Sequence, residues 1–530
     1  MNYTYDNDSR LIQVTDPTGT YQFTFDNMGR LTQATTSYTF LTGRNFTASY
    51  SYDAASNRTG FTDPENGATG YVYDTLNRLQ TLTPPAAFSG TGNFGFTYDA
   101  LSRRTQMTRP NGLKSVYAYD NLSRMLSVLH QSGATTLDGA SYTVDNAGNR
   151  PTKTDQLAGV TSNYTYDPIY ELTQVTQGVN TTESYTYDPV GNRLSSLGVS
   201  PYNYNASNQL TSKPNTTYTY DNNGNTATKV DSTGTTQYFW DIENRMSSVT
   251  LPGSGGTVSF KYEPFGRRVY KSSSAGTSIY AFDGDNLIEE TNSSGAAVAR
   301  YEQTQNIDEP LAMLRSAATS YYHADGLGSV TSLSSAAGSI ANTYTYDSFG
   351  KLTNSTGSLV NPFRYTARES DTETGLYYYR ARYYDPTIGR FIREDPTKEV
   401  IKGLNFYAYV RSSAPNFLDP TGTGPSDWLK KIGEGLKLAH EVKEKVDRAL
   451  EWTFCGLYAL TCTDSGINLR YDISQATGTG TDAYINSTEA LARSVGANTV
   501  SDMNRKVCFA NAPCSHFLED CTKFATPNPF

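Results

Sequence analysis

The sequence predicts a mainly β protein: a long array of antiparallel hairpins, then a dense Tyr-rich stretch, then a small helix-rich segment. Three observations predict this. An aromatic-x-aromatic-Asp motif recurs along about two-thirds of the 530 residues. Tyrosine reaches 41 against 22 Phe and 3 Trp, in a chain only 37% hydrophobic. Tyrosine buries a ring while its hydroxyl stays hydrogen-bonded or wet, which suits sheets with much exposed surface. Composition then changes abruptly after Gly422, beyond which lie all five cysteines.

The motif appears as NYTYDNDSRL, QFTFDNMGRL, GYVYDTLNRL, GFTYDALSRR, SYTYDPVGNR and YTYDSFGKL, among others. Its acid falls at Asp6, Asp26, Asp53, Asp74, Asp99, Asp120, Asp145, Asp167, Asp188, Asp221, Asp241, Glu263, Asp283, Asp325 and Asp347, mostly 20 to 27 residues apart. The unit around Asn205 reads as degenerate. Alternating aromatics give one strand face, Asp-x-x-Gly/Asn supplies a turn, and the Thr-rich tail returns as a second strand. One unit is therefore a hairpin. A lone hairpin is marginal in water, so successive hairpins must stack edge to edge. Asp and Arg are expected to pair or to cap backbone at each turn.

This pattern resembles the YD repeats of Rhs proteins, toxin-complex C subunits and teneurins. The resemblance covers roughly 1–422 and implies a spiral β-sheet enclosing a hollow shell; the residues alone give only a repetitive antiparallel body. Residues 283–319 lack the motif centre but keep strand-like alternation. SYYHADGLGSVTSL (320–333) then looks like the segment that precedes the core in Rhs proteins. Its His323, beside Asp325, reads as a structural imidazole bonded to turn backbone, since no nucleophile is patterned with it.

Residues 363–422 hold five tyrosines within 377–384, with Arg380, Arg382, Arg390 and Arg393 interleaved. Asp-Pro dipeptides start at Asp385, Asp395 and Asp419. GLYYYRARYYDPTIGRFIREDP and GLNFYAYVRSSAPNFLDPTG resemble the Rhs repeat-associated core. The resemblance implies that Asp395 and Asp419 are an aspartic-protease-like pair that cuts the chain just after the second, following Gly422. Two carboxylates held close cannot both ionise cheaply, so one keeps a proton while the other activates water. Proline after each Asp stiffens the turn that presents it. LNFYAYV (404–410) alternates like a strand and could bring the two aspartates together. Against this stands the plain turn role of Asp-Pro, which Asp385 is expected to have. Relatives usually carry Asp-Pro-x-Gly at the first site; here Lys398 takes the Gly position, and misplacing Asp395 would be its consequence. Arg393 reads either as a partner of one carboxylate or as a sheet-facing cation.

Beyond Gly422, Ser426 caps an expected amphipathic helix with apolar residues from Trp428 to Leu450 and His440 at its surface. Packing against protein, rather than membrane activity, fits its mixed charges. The odd number of cysteines (Cys455, Cys462, Cys508, Cys514, Cys521) leaves one unpaired within a monomer. Disulfides such as Cys455–Cys462, or pairs among the last three, are expected ahead of a zinc site with His516, whose spacing matches no standard finger.

These readings divide the chain into a repeat shell (1–356), a repeat-associated core (357–422) and a variable C-terminal domain (423–530). The expected protein is secreted or at the cell surface, with its own C-terminal domain as cargo, an immunity protein and a surface or carbohydrate ligand as partners. No cofactor or metal is expected, and the tail matches no toxin family, leaving its activity unassigned. A net charge of −9 argues against nucleic-acid binding by the shell. No apolar run is long enough for a membrane span. MNYTYDNDSR starts inside a repeat without a leader, so either export uses another route or this is the end of a longer protein, the second being the reading adopted. The rival reading is an adhesion or carbohydrate-binding repeat protein without cleavage.

Overall fold

The computed structural model describes residues 1–88, 92–397 and 405–424. Lys398 and everything beyond Gly424 lie outside the described residues, including the helix from Ser426, His440, His516 and all five cysteines.

The hairpin around Asp74 shows how the motif works. Strands Ala68–Tyr73 and Leu79–Thr83 flank a turn in which Asp74 N–H donates to the Arg78 carbonyl at 2.9 Å. Asp74 Oδ1 accepts Leu76 N–H at 2.9 Å and Arg78 N–H at 3.0 Å, and Oδ2 accepts Arg78 Nε–H at 2.7 Å. One short carboxylate therefore satisfies the turn's backbone and its arginine together. Asn77 takes φ 58°, the left-handed conformation that explains Ser, Asn or Gly at this place.

Two further bonds make each unit dock on the next. Arg78 Nη1 donates forward to the Asp99 carbonyl at 3.2 Å, while Tyr98 OH donates back to the Leu79 carbonyl at 2.8 Å. The pattern repeats: Arg30 reaches the Asp53 carbonyl at 2.8 Å and Tyr52 the Leu31 carbonyl at 2.8 Å. Where Asn replaces Arg, Asn225 bridges Asp221 at 2.8 Å and Asn244 at 2.9 Å. The unit at Asn205 is intact, because Asn205 Oδ1 still accepts Ser207 N–H at 3.0 Å and Gln209 N–H at 3.1 Å.

Consecutive strands pair antiparallel along an 18-stranded sheet, from Asn2–Tyr5 to Arg193–Ser196, and a 16-stranded sheet, from Asn203–Tyr204 to Leu352–Thr356. Among the described residues no ladder joins the last strand of either sheet to its first, so the wall is two sheets and not a closed barrel. The Thr-rich tails form hydroxyl pairs on the wet face, such as Thr97–Thr105 at 2.9 Å and Thr219–Thr228 at 2.7 Å. Apart from short 3₁₀ turns, no helix occurs among the described residues.

The inner faces of the two sheets meet. Val14, Tyr21, Phe46, Leu82 and Phe94 of the first share a core with Val269, Ile279, Leu311 and Tyr321 of the second. Polar links cross the same seam: Tyr38 OH to the Tyr280 carbonyl at 2.8 Å, Arg58 with Asp283 at 2.6 Å, and Lys153 with Asp325 at 2.7 Å. A cavity of about 320 Å³ remains between Tyr21, Tyr38, Tyr50, Phe265 and Phe282. His323 lies in this seam, fully buried, bonding the Ser334 hydroxyl at 2.8 Å and meeting His130 edge-on at 4.8 Å. Its partners are side chains rather than turn backbone. Burial, with Arg109 and His130 alongside, holds the imidazole well below its ordinary pKa.

Glu302 gives the seam a pH dependence. It is buried with Thr69 Oγ1–H at 3.0 Å, and burial raises its carboxyl to about 8. Because the folded value exceeds the unfolded one, this contribution is complete below about pH 4.5 and is lost as pH rises through about 8. Glu302→Gln is therefore expected to raise stability near pH 8.5, on the order of a few kcal/mol, and to change little at pH 4. Urea denaturation at the two pH values checks this.

The Tyr-rich stretch forms a third, four-stranded sheet: Glu369–Asp371, Leu376–Tyr379, Arg382–Asp385 and Arg390–Phe391. Alternation sends Tyr377, Tyr379 and Tyr384 toward Leu172, Val175, Tyr185 and Phe349. Tyr378 and Tyr383 face Met246, Val249, Val258, Phe260 and Tyr262. Tyrosine rather than phenylalanine serves here because the hydroxyls reach the wall's carbonyls. Tyr377 donates to Gly350 at 2.9 Å and Tyr384 to Phe349 at 2.7 Å. The expected strand at 404–410 does not form over its described part, 405–410. Asn405 caps a turn instead, accepting Tyr407 N–H at 3.2 Å, and only an isolated bridge links Ala408 to Arg390.

Candidate active site

The three Asp-Pro elements are not equivalent. Asp385 is a turn residue, its Oδ1 accepting Thr387 N–H at 2.8 Å and Thr387 Oγ1–H at 2.6 Å. Asp395 repeats that turn, with Thr397 N–H at 2.9 Å and Oγ1–H at 2.7 Å on Oδ1, but its Oδ2 points to Arg382 Nη2 at 3.0 Å. Asp419 makes a different set of contacts. Its Oδ1 accepts Thr423 N–H at 3.0 Å and its Oδ2 accepts Gly424 N–H at 3.0 Å. That same Oδ2 lies 3.2 Å from Arg382 Nη2.

A single guanidinium nitrogen therefore joins Asp395 and Asp419, and both carboxyls are buried, at 7% and 1% exposure. Their Oδ2 atoms cannot be farther apart than those two contacts laid end to end. Arg382 is itself 2% exposed at its side chain and stacks on Phe391, 3.6 Å from the ring centroid. Its Nη1 donates to the Phe406 carbonyl at 2.9 Å, which also accepts Asp395 N–H at 3.0 Å, and its Nε donates to the Gly422 carbonyl.

Burial pushes the Asp419 carboxyl up, and nearby Asp395 adds to this; Arg382 and the two N–H donors oppose it without overcoming it. Burial also lowers Arg382, to about 10, against the pull of both aspartates. Arg382 stays charged at neutral pH, and of the two groups it is Asp419 that burial moves toward its protonated form.

Both aspartates expected from the sequence are thus brought together. Arg393 is not their partner: its Nη1 donates to the carbonyls of Glu243 and Asn244 on the wall. Arg382 is the residue that sequence reasoning missed. The available signal was its place in a fully buried strand, on the same face as Tyr384, where a charge needs carboxylate partners.

Aromatic-Asp hairpins stacked into two facing sheets, with a Tyr-rich strand quartet holding two aspartates against them, define a YD-repeat wall with its associated core. Residues 151–413 match the family described as Teneurin YD-shell and residues 5–39 the RHS Repeat. The chain belongs to the RHS-repeat/YD-shell family. It is similar to the tRNA3(Ser)-specific nuclease WapA of Bacillus spizizenii, 30% identical over 427 residues, covering 77% of this chain but 16% of that protein. It is also similar to toxin subunit YenC2 of Yersinia entomophaga, 48% identical over 66 residues, 12% of this chain and 7% of that one. Among solved structures, TcdB2-TccC3 without its hypervariable C-terminal region aligns with a TM-score of 0.63 at 19% identity. That alignment covers 78% of this chain and 24% of that chain. The chain thus spans less than a quarter of these relatives' length, and the structural likeness bears on the fold.

Proposed function

We propose that this is a secreted or cell-surface delivery protein whose β wall (1–356) and core (357–422) shield a C-terminal effector (423–530), and that Asp395 and Asp419 sever it after Gly422. The observation that carries this reading is the shared Arg382 nitrogen between the two buried carboxyls, with Asp419 gripping the Thr423 and Gly424 amides. Relatives named as a tRNA nuclease and a toxin subunit support an effector role for the tail, and a neutralising immunity protein would then accompany it. A carbohydrate or other surface ligand remains the rival use of the wall, without a cut.

Cleavage here leaves both new ends held in the core, the Gly422 carbonyl by Arg382 Nε and the Thr423 and Gly424 amides by Asp419. The two fragments are therefore expected to co-elute on native gel filtration and to separate only in denaturant. Fragments that part without denaturant would count against a shielding wall, and a chain that stays whole would count against cleavage.

A further inference from the structure

We propose that the cavity in the seam between the two sheets is a binding site for a small aromatic amine, with Glu263 as the carboxyl that meets its ammonium group. None of the residues lining the cavity belongs to the Tyr-rich core.

Glu263 is the one glutamate among the register acids of the hairpin repeat, and it departs from their role. Its backbone keeps the turn: Glu263 N–H donates to the Arg267 carbonyl at 3.0 Å, and its own carbonyl accepts Gly266 N–H at 2.9 Å. Its carboxyl does not follow. Asp74 Oδ1 takes the amides two and four residues on, whereas the longer Glu263 side chain takes neither and bonds Arg267 Nε. The residue is 1% exposed and lines the cavity.

The space suits rings. Strands Gly19–Phe25, Leu31–Tyr38 and Asn45–Tyr52 of the first sheet line one side, and the turns at 263–267 and 282–285 of the second sheet line the other. At about 320 Å³ it has more than twice the room of the roughly 150 Å³ cavity that takes benzene, enough for two fused rings. Its mouth lies at Phe265, 47% exposed, and at the exposed Gly284 and Asp285.

The polar groups select the charge of the guest. The hydroxyls of Tyr21, Tyr38 and Tyr50 already bond Thr18 at 2.8 Å, the Tyr280 carbonyl at 2.8 Å and Asp283 at 3.1 Å. A guest therefore meets ring faces, and a polyol would give up more hydrogen bonds to water than it gains. Arg267 is engaged by Glu263 and the Gly284 carbonyl, and its guanidinium lies 5.2 Å from the Phe282 centroid. These rings thus already hold one cation. Asp16 and Asp285 add negative charge near Glu263, and burial raises its carboxyl against the pull of Arg267. A second cation is what that carboxyl lacks. Because the guest touches both sheets, binding holds the seam closed and stabilises the fold by mass action.

The test is isothermal titration calorimetry of the full chain with tryptamine, with indole as the uncharged ring and indole-3-acetate as the opposite charge. Tryptamine is expected to bind at a single site and to raise the urea midpoint. Indole should bind at least about 10-fold more weakly, as loss of a hydrogen bond to a charged group implies, and indole-3-acetate more weakly still. Glu263→Asp shortens the carboxyl so that it can take the turn amides as Asp74 does. That variant should be at least as stable in urea, lose about 10-fold or more in tryptamine affinity and keep its affinity for indole. Tryptamine binding no tighter than indole overturns the proposal, as does a failure of all three probes to bind. A folded Glu263→Asp chain with wild-type tryptamine affinity overturns the role of Glu263. Should that variant not fold, the three probes on the wild-type chain decide.

Discussion

Asp395→Asn is expected to leave the purified chain as a single full-length band on a denaturing gel, where the wild type is expected to give two. The amide keeps the volume and can still accept Thr397 N–H and Oγ1–H through its oxygen, so the turn survives. What is lost is the group that, in the proposed cleavage, takes a proton from water. Side chains that act as a unit in catalysis are each indispensable, and the expected fall in rate is on the order of 10³-fold or more. Asp419→Asn should fail as completely for a different reason. Its amide cannot deliver a proton to Thr423 N as a carboxylic acid does, although the contact at 3.0 Å persists. Each variant removes a carboxylate from buried Arg382, so its urea midpoint is read beside its cleavage, and a chain that is folded but inert separates chemistry from stability.

The second large effect is on stability, at Arg268. This wall residue is 1% exposed and pairs with Glu369 at 3.0 Å and with Asp371, the first strand of the core sheet. Its ring partner is Tyr378, at 4.5 Å from the centroid, and its backbone N–H donates to the Tyr378 hydroxyl at 3.0 Å. Burial pushes Asp371 up, but Arg268 and Lys271 overcome it and hold the carboxyl below its ordinary value. That contribution is present above the unfolded pKa and is lost as pH falls through the lowered one. Arg268→Met fills the space but leaves two buried carboxyls with one more distant cation each, Lys271 at 3.2 Å from Asp371 and Arg368 at 3.9 Å from Glu369. The expected cost is about 3–5 kcal/mol, read as a lower urea midpoint. Adding Glu369→Gln and Asp371→Asn should recover part of it, since the three side chains form one network. The Arg382 strand sits two strands from Asp371 in the same sheet, so Arg268→Met should also slow cleavage.

The hairpins were legible because one physical need recurs at a fixed spacing: a short acceptor at Asp and, four residues on, most often an Arg or Asn whose side chain donates back to it. Asn205 looked degenerate by letter, yet amide and carboxylate oxygens accept the same two N–H groups. The two-sheet seam was not legible. Nothing in a strand's alternation says which distant strand its inner face will meet, and links such as Arg58–Asp283 join units far apart in sequence. At the site, the two aspartates stood out through resemblance to the Rhs core, whereas their arginine did not. Arg382, Arg390 and Arg393 look alike in sequence, and only burial beside Asp395 and Asp419 distinguishes the first. The strand expected from LNFYAYV failed because Asn405 bonds its own downstream backbone, competing with the ladder.

The central claim is that two carboxyls within one chain sever that same chain. Its most direct measurement is the decay of full-length protein after pulse synthesis, for wild type and for the Asp395→Asn/Asp419→Asn double variant, across a roughly 100-fold dilution. The account predicts first-order loss at the same rate at every dilution for the wild type, and a double variant that persists. A rate that falls on dilution, or a double variant that disappears alongside the wild type, would contradict it.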